Sequence, residues 1–403
     1  MTAHNPALQA LSDGLSARMA AWRETGMLRT LPQMQPCGRY VLDGGRKLLN
    51  LSANDYLGLA ADEDLRRQFL HTLSEHEYVF GSSSSRLLGG NHPVFDRLEH
   101  LIAARYGREA CLLFNSGYHA NSGILPALAD RDTLMVADKR VHASLIDGMR
   151  LARVQNGAAF CRFPHQDYAR LAEILHGRGR HFARVLVVTE SIFSMDGDCT
   201  DLRALVDLKR HFDNVLLYVD EAHAVGVRGS GGLGLAQEQD CIGGIDFLVG
   251  TFGKALAASG AYLVCGRVVK DWLVNTARPL LFSTALPPVA AEWAAFVFAR
   301  LPQFEDRRRH LAALSHRFQT ASAGLPGTVA ATGSHLVPYV LGDPARAQAC
   351  AHRLRAAGFY CLPVRPPTVP PGRAGVRFSL NAAMTEAELD VLAAALGSLS
   401  DAD

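Results

Sequence analysis

The run Phe247-Leu-Val-Gly-Thr-Phe-Gly-Lys254 places a lysine just past a short apolar stretch. Upstream, a second such stretch, Val215 to Val219, ends in Asp220-Glu-Ala-His223. Side chains just beyond the carboxyl ends of strands in an open α/β sheet share one crevice. An amine, a carboxylate and an imidazole therefore converge there. That set suits an aldehyde cofactor: the lysine captures the aldehyde as an imine, the aspartate keeps a pyridine nitrogen protonated and the histidine bonds the ring hydroxyl. The residues imply a pyridoxal 5'-phosphate site. A lysine amine desolvated in such a crevice titrates lower than in water, which suits it to act as nucleophile and base near neutral pH.

Flanking residues extend the pattern. Gly253 relaxes the backbone before Lys254, and Thr251 offers a hydroxyl for a phosphate oxygen. Asn115-Ser116-Gly117-Tyr118 lies between the apolar run Cys111 to Phe114 and a helix expected to begin near Tyr118. First-turn amides and the helix dipole cradle phosphate at such a place, although an ordinary βα turn has the same spelling. His142, in Arg-Val-His-Ala-Ser, opens a helix after the run Leu134 to Asp138. It stands at the same sheet edge, either to stack on a cofactor ring or to fill a structural role. Asp220 alone also fits a turn or a cap; the Asp-x-x-His spacing favours the cofactor, because the carboxylate meets a pyridinium nitrogen while the imidazole lies further along the ring. A rival of another class is spelled by Gly229-Ser-Gly-Gly-Leu-Gly234, the G-x-G-x-x-G of dinucleotide-binding oxidoreductases. It begins well past its strand and no long helix follows, so it is expected to be a flexible loop. The serine-rich run Gly81 to Gly90 lacks the Gly-Lys-Ser/Thr ending of a phosphate loop and is assigned to an active-site floor or a subunit contact.

To bring these groups to one edge the chain needs a parallel sheet. From Ala110 onward, β-rich runs (Cys111 to Phe114, Leu134 to Ala137, Phe160 to Phe163, Val185 to Thr189, Val215 to Val219, Phe247 to Thr251, Ala261 to Cys265) alternate with stretches of helical period. Such alternation predicts a mostly parallel sheet covered on both faces. Ahead of it, Leu8, Leu11, Leu15, Met19 and Trp22 mark a helix over residues 5–24, and residues 39–51 read as a hairpin around Asp43-Gly-Gly. Pro93 to Tyr106 is a helix with Asn91 as its cap. Pro287-Pro288 is expected as a hinge. Beyond it come helices over 290–301 and 305–320, the second with a solvated Arg308-Arg309-His310 face, strands at Leu336 to Leu341 and Val376 to Leu380, and a last helix opened by a Thr385/Glu388 capping box. The expected division is an N-terminal helix and hairpin over 1–50, a large cofactor-binding α/β domain over 51–288 and an α+β domain over 289–403.

Composition narrows the class. With 403 residues, 48% of them hydrophobic and 20% charged, the chain can build one large domain and a smaller one, unlike disordered or fibrous sequences. A formal charge of +2 without a Lys/Arg block speaks against nucleic acid or an anionic membrane as partner. No run approaches the ~18 apolar residues of a membrane span, and the N-terminus has no apolar leader core. The eight cysteines contain no Cys-x-x-Cys pair or Cys/His cluster, which argues against a metal site or a disulfide framework and for a reducing cytoplasm.

Together, Asn54-Asp-Tyr-Leu-Gly-Leu, Gly81 to Gly90, Asn115-Ser-Gly-Tyr, Asp138 to Ser144, Thr189 to Gly197, Asp220-Glu-Ala-His, Thr251-Phe-Gly-Lys and Phe282 to Pro288 resemble the α-oxoamine synthases. These are pyridoxal-phosphate enzymes of the aspartate-aminotransferase fold, fold type I, and the likeness spans about residues 38 to 395. It implies an acyltransferase that joins an amino acid to an acyl thioester, from coenzyme A or an acyl carrier protein, with loss of carbon dioxide, in a homodimer with shared active sites. It implies Lys254 on the aldehyde, Asp220 at the pyridine nitrogen, His223 at the ring hydroxyl with Ser194 near it, and His142 stacked on the ring. Ser116, Gly117 and Tyr118 are implied on cofactor or phosphate, Thr251 on phosphate, and Ser283 and Thr284 reaching it from a second subunit. Arg377 is implied for the amino-acid carboxylate with Asn54 nearby, and Arg365, in Arg365-Pro-Pro-Thr-Val-Pro370, as a further substrate contact. Ser83 and Ser84 stand where the family has glycines, Gly89 where a serine is common and Tyr118 where phenylalanine is frequent; these departures bear on acyl-chain fit rather than on the chemistry.

Overall fold

The structure, a computed structural model, describes residues 5–74, 77–328 and 332–400. They form two compact units. The larger holds the described residues of Asn54–Ala313 and Asn381–Ala383; the smaller holds those of Met1–Ala53, Leu314–Leu380 and Met384–Asp403. In chain order the strands are β1 (Gln35–Cys37), β2 (Tyr40–Asp43), β3 (Arg46–Asn50), β4 (Ala110–Phe114), β5 (Thr133–Asp138), β6 (Ala159–Phe163), β7 (Arg184–Glu190), β8 (Val215–Asp220), β9 (Phe247–Thr251), β10 (Ala261–Cys265), β11 (Leu336–Gly342), β12 (Phe359–Tyr360), β13 (Pro363–Val364) and β14 (Ala374–Ser379).

The larger unit is built on a seven-stranded sheet in the order β4-β10-β9-β8-β7-β5-β6. All seven apolar runs foreseen in the sequence are its strands. Five of them, β9, β8, β7, β5 and β6, run parallel, and β10 is antiparallel to both of its neighbours. Strands β4, β5, β9 and β10 are buried along their whole length, which is why they read as continuous apolar runs rather than alternating ones. Helices Gly117–Leu128 and Ala143–Asn156 pack against each other, and at their crossing a Cβ on Gly148 would lie 2.4 Å from the carbonyl oxygen of Asn121. Glycine is required there for close approach.

In the smaller unit β2 and β3 form the expected hairpin, with Asp43 opposite Arg46 at the turn, and β1 extends it to a meander. Strand β12 joins β3 in parallel, Phe359 beside Leu49. Helix Pro6–Glu24 forms as read, capped by Asn5 and exposed along its length. The last helix, Glu386–Ser400, starts with the foreseen capping box, Thr385 N–H to Glu388 and Glu388 N–H to the Thr385 hydroxyl.

Several expectations are corrected. The compact units do not divide at Pro287-Pro288: helix Pro288–Ala299 belongs to the larger unit, because it buries Ala291, Ala294, Phe296, Val297 and Phe298 and needs a core on more than one side. The N-terminal helix and hairpin group with the C-terminal residues through the β3–β12 pairing, so residues 1–50 are not a separate entry segment. Asn91 does not cap helix Pro93–Tyr106; its N-cap is His92, and Asn91 accepts from Arg86 Nε. Arg308 is buried rather than solvated, donating to the carbonyls of Leu301 and Ser230, while Arg309 and His310 do face outward. The glycine run 229–234 is packed rather than loose. The amides of Leu235 and Ala236 close on the buried carboxylate of Glu221, and Gly234, at φ +109°, would place a Cβ 2.7 Å from that group. The other glycines of the run pack on Gln237 and Arg308, and the helix after it spans only Leu235–Glu238. Among the described residues no helix is long and apolar enough to cross a membrane.

Candidate active site

The parallel strands bring the predicted groups to one sheet edge. Glu190 and Asp220 end β7 and β8 side by side in register, β9 ends at Thr251 with Lys254 in the turn beyond, and β5 ends at Asp138 with His142 opening the next helix. The first residue of β10, Ala261, pairs with both Phe114 and Thr251. The turn Asn115–Ser116 after β4 therefore stands at the same edge as Thr251, two strand spacings or about 10 Å away. Every predicted residue except Arg365 and Arg377 lies in this unit.

Asp220 is 6% exposed and both of its oxygens accept from neutral donors: Oδ1 from the Ala222 amide at 2.9 Å, Oδ2 from Asn121 Nδ2 at 2.8 Å. Its charge is left to meet a cation, as a protonated pyridine nitrogen requires. Glu190, beside it, accepts the backbone N–H of His142 at 2.5 Å. Burial, with Asp220 next in weight, pushes Glu190 well above the usual carboxylate range; the ammonium of Lys254 and the His142 amide oppose the shift. Lys254 is half-buried in its turn, where its carbonyl accepts from Ala257 at 2.9 Å. His142 is exposed, yet desolvation first and Lys254 after it lower its pKa, with Asp220 and Asp147 pulling the other way.

His223 is buried, and its Nδ1 lies 2.7 Å from the hydroxyl of Tyr56, which is fully buried. The Tyr56 hydroxyl also lies 3.1 Å from Asn54 Oδ1, so it links Asn54 to His223. At the helix start, Ser116 caps the His119 amide at 3.1 Å, and the first-turn amides of Gly117 and Tyr118 have no helical carbonyl to bond, which suits them to an anion. Tyr118 is exposed and its hydroxyl donates to Asp147. Ser283 and Thr284 stand beside the same turn: Asn115 Nδ2 donates to Ser283 Oγ at 3.3 Å and to the Thr284 carbonyl at 2.7 Å. The Thr251 hydroxyl donates to the Gly260 carbonyl at 3.0 Å and receives the Gly253 amide, so it braces the turn that carries Lys254. Ser194 sits half-buried in the hairpin after β7 that the Ile192–Cys199 bridge closes.

In the smaller unit Arg377 is half-buried on β14, opposite Pro338. Arg365 follows β13, buried, with Nη1 on the Gly26 carbonyl and Nε without a hydrogen-bond partner. Burial and the neighbouring Arg29 lower its pKa.

Sequence reasoning did not single out Tyr56, Asn121, Ser144, Glu190 or Tyr218. A signal existed for two of them. Asn121 is a polar residue in a buried stripe with Ala120, Ile124 and Leu125, and Tyr218 shares a strand face with Asp220 two residues on.

A sheet of this order, with a lysine, a carboxylate and imidazoles gathered at its carboxyl edge, defines the fold type I class of pyridoxal-phosphate transferases. The chain belongs to the aminotransferase class I and II family, whose profile matches residues 46–396. It is 52% identical to the putative 8-amino-7-oxononanoate synthase of Pasteurella multocida, over 95% of this chain and 98% of that one. To the 8-amino-7-oxononanoate synthase of Haemophilus ducreyi it is 51% identical, over 94% and 98%. Among solved structures, serine palmitoyltransferase from S. paucimobilis with bound PLP-myriocin aldimine superposes with a TM-score of 0.87 at 26% identity, covering 98% of both chains.

Proposed function

We propose that the chain catalyses the pyridoxal-phosphate-dependent, decarboxylating condensation of L-alanine with a pimeloyl thioester, giving 8-amino-7-oxononanoate, carbon dioxide and free thiol in biotin biosynthesis. The observation that carries this reading is the identity of about half the sequence, along nearly the full length, to proteins named for that product. The serine palmitoyltransferase likeness, at half that identity, supports the fold and the cofactor rather than the substrate.

Bound at this edge, the cofactor supplies an aldehyde for amine capture and a protonated ring that drains electron density from the amino acid's α-carbon. Lys254 would hold the aldehyde, and its amine, once freed, would take the α-proton of the amino acid and return a proton after carbon dioxide leaves. Asp220, whose oxygens accept from the neutral Asn121 and Ala222 donors, would face the ring nitrogen and keep it protonated. His223 would meet the ring hydroxyl, with Ser194 beside it, and His142 would stack on the ring. Ser116, Gly117, Tyr118 and Thr251 serve cofactor and phosphate. By resemblance alone, Arg377 takes the amino-acid carboxylate, with Asn54 and Arg365 as further substrate contacts.

The reading carries a cytoplasmic homodimer with shared active sites, in which Ser283 and Thr284 reach the partner's phosphate. Phe80, Leu88 and Phe282, each more than 70% exposed beside the serine-rich loop and Ser283, support a covered apolar face. Either coenzyme A or an acyl carrier protein is the acyl donor. The test is an assay of the purified chain with L-alanine, glycine or L-serine against pimeloyl and palmitoyl thioesters of both carriers, following thiol release and the mass of the amino ketone. Turnover of alanine with the pimeloyl donor is expected; a preference for serine with the palmitoyl donor contradicts the reading.

A further inference from the structure

Asp220 and His142 are joined through a buried chain that the reaction as described does not use. Tyr218, Asn121 and Ser144 are each at most 1% exposed. The Tyr218 hydroxyl lies 2.7 Å from Asn121 Oδ1, Asn121 Nδ2 lies 2.8 Å from Asp220 Oδ2 and 2.9 Å from Ser144 Oγ, and Ser144 Oγ lies 2.8 Å from His142 Nδ1. A carboxylate only accepts, so the amide of Asn121 must turn its nitrogen to Asp220 and its oxygen to Tyr218. Its second N–H then fills a lone pair of Ser144, whose own hydrogen is left for His142 Nδ1. The Ser144 backbone N–H points at the same nitrogen from 3.2 Å. Two donors converge on His142 Nδ1, which is therefore the lone-pair nitrogen, and the ring proton sits on Nε2.

We propose that Asn121 is the positioning residue of this site: one amide fixes the Asp220 carboxylate and, through Ser144, holds His142 as the neutral Nε2–H tautomer. The inference rests on the cofactor reading and extends it to a residue outside the predicted set. Its physical sense is charge economy. A neutral imidazole stacks on a cationic ring without repulsion, and because Asn121 and Ser144 stand between them, Asp220 Oδ2 is hydrogen-bonded by Asn121 while Nδ1 of His142 is served by Ser144. Tyr218 donates to the amide oxygen, so both N–H groups and the carbonyl of Asn121 are bonded and the buried amide is held on three sides.

The test uses full-length protein with and without pyridoxal phosphate. Asn121→Leu removes the donor to Asp220, and the dissociation constant for pyridoxal phosphate is expected to rise about tenfold or more. In the apo-protein, ¹⁵N NMR of histidine, with His142 assigned through its loss in His142→Gln, is expected to show Nδ1 unprotonated. Asn121→Asp draws the Ser144 hydroxyl to the new carboxylate, and Ser144→Ala deletes it; both strip a donor from neutral His142 and are expected to raise its titration midpoint. A merely structural asparagine would not move that midpoint, and Ser144→Ala keeps the question answerable if Asn121 variants fold poorly. An unchanged His142 midpoint in Ser144→Ala, or cofactor affinity in Asn121→Leu within about twofold of wild type, overturns the proposal. Wild-type protein that takes up no pyridoxal phosphate refutes the function itself, whereas uptake with unaltered variants refutes this inference alone.

Discussion

His165→Asn is expected to produce a stability loss that fades at high pH. His165 follows β6 and bridges two carboxylates, Nδ1 at 2.9 Å from Asp138 and Nε2 on Asp198, with its edge against Phe193. Gln166 bonds both acids as well, through its amide N–H to Asp138 at 2.8 Å and its side chain to Asp198 at 3.0 Å. The bridge ties the end of β5 to the hairpin that carries Ser194. Burial works against protonation of His165, but the two carboxylates outweigh it and raise the pKa from 6.5 to about 9. A group whose pKa is higher folded than unfolded stabilises fully below the unfolded value and loses that contribution as pH rises through the folded one. The window is thus about 6.5 to about 9, and the displacement is worth at most about 3 kcal/mol. The side chain of His165 is 15% exposed and that of Asp198 29%, so solvent screening trims the figure modestly. Asparagine keeps one neutral hydrogen bond and no charge. In urea unfolding, the gap between wild type and variant is expected to be about 2–3 kcal/mol larger near pH 6 than near pH 10. A gap of equal size at both pH values refutes the doubly clamped imidazolium.

Glu221→Gln tests a shift of the same sense but of a different cause, burial rather than charge pairing. Burial pushes Glu221 to about 7 against the pull of Ser191 and the Ala236 and Leu235 amides. The folded state holds a proton that the unfolded state has released, so wild-type stability falls as pH rises from the ordinary glutamate value through about 7, by at most about 3 kcal/mol. Thermal melts from pH 5 to 8 should show this slope flattened in the variant; parallel slopes contradict it. Gly148→Ala drives a methyl against the Asn121 backbone and is expected to cost about 1–3 kcal/mol, read as a lower melting temperature. A melting temperature equal to wild type would mean the two helices separate at no cost.

The sheet was legible because its strands are short apolar runs bounded by polar turns, and the placing of Lys254, Asp220, His223 and His142 at its carboxyl edge was legible because they follow such runs. The grouping of the N-terminal hairpin with the C-terminal residues was not, since it depends on Phe359 pairing with Leu49, a contact between distant segments with no local spelling. Nor was the contrast between Arg308 and Arg309: one step of 100° around a helix separates a buried guanidinium from a solvated one. The glycine run 229–234 matched a dinucleotide motif by spelling, yet its glycines answer to side chains the motif does not name, Gly229 and Gly231 to Gln237, Gly232 to Arg308 and Gly234 to Glu221. Asn121 stayed hidden because an asparagine inside an apolar helix face reveals a buried polar need but not which charge it serves.

The central claim is that Lys254 carries the cofactor. Incubating the purified protein with pyridoxal phosphate, reducing with borohydride and mapping the phosphopyridoxyl group by peptide mass spectrometry tests it most directly. The account predicts a single modified lysine, Lys254, with the label lost in Lys254→Ala. A label absent from Lys254, or spread over surface lysines in both proteins alike, contradicts it.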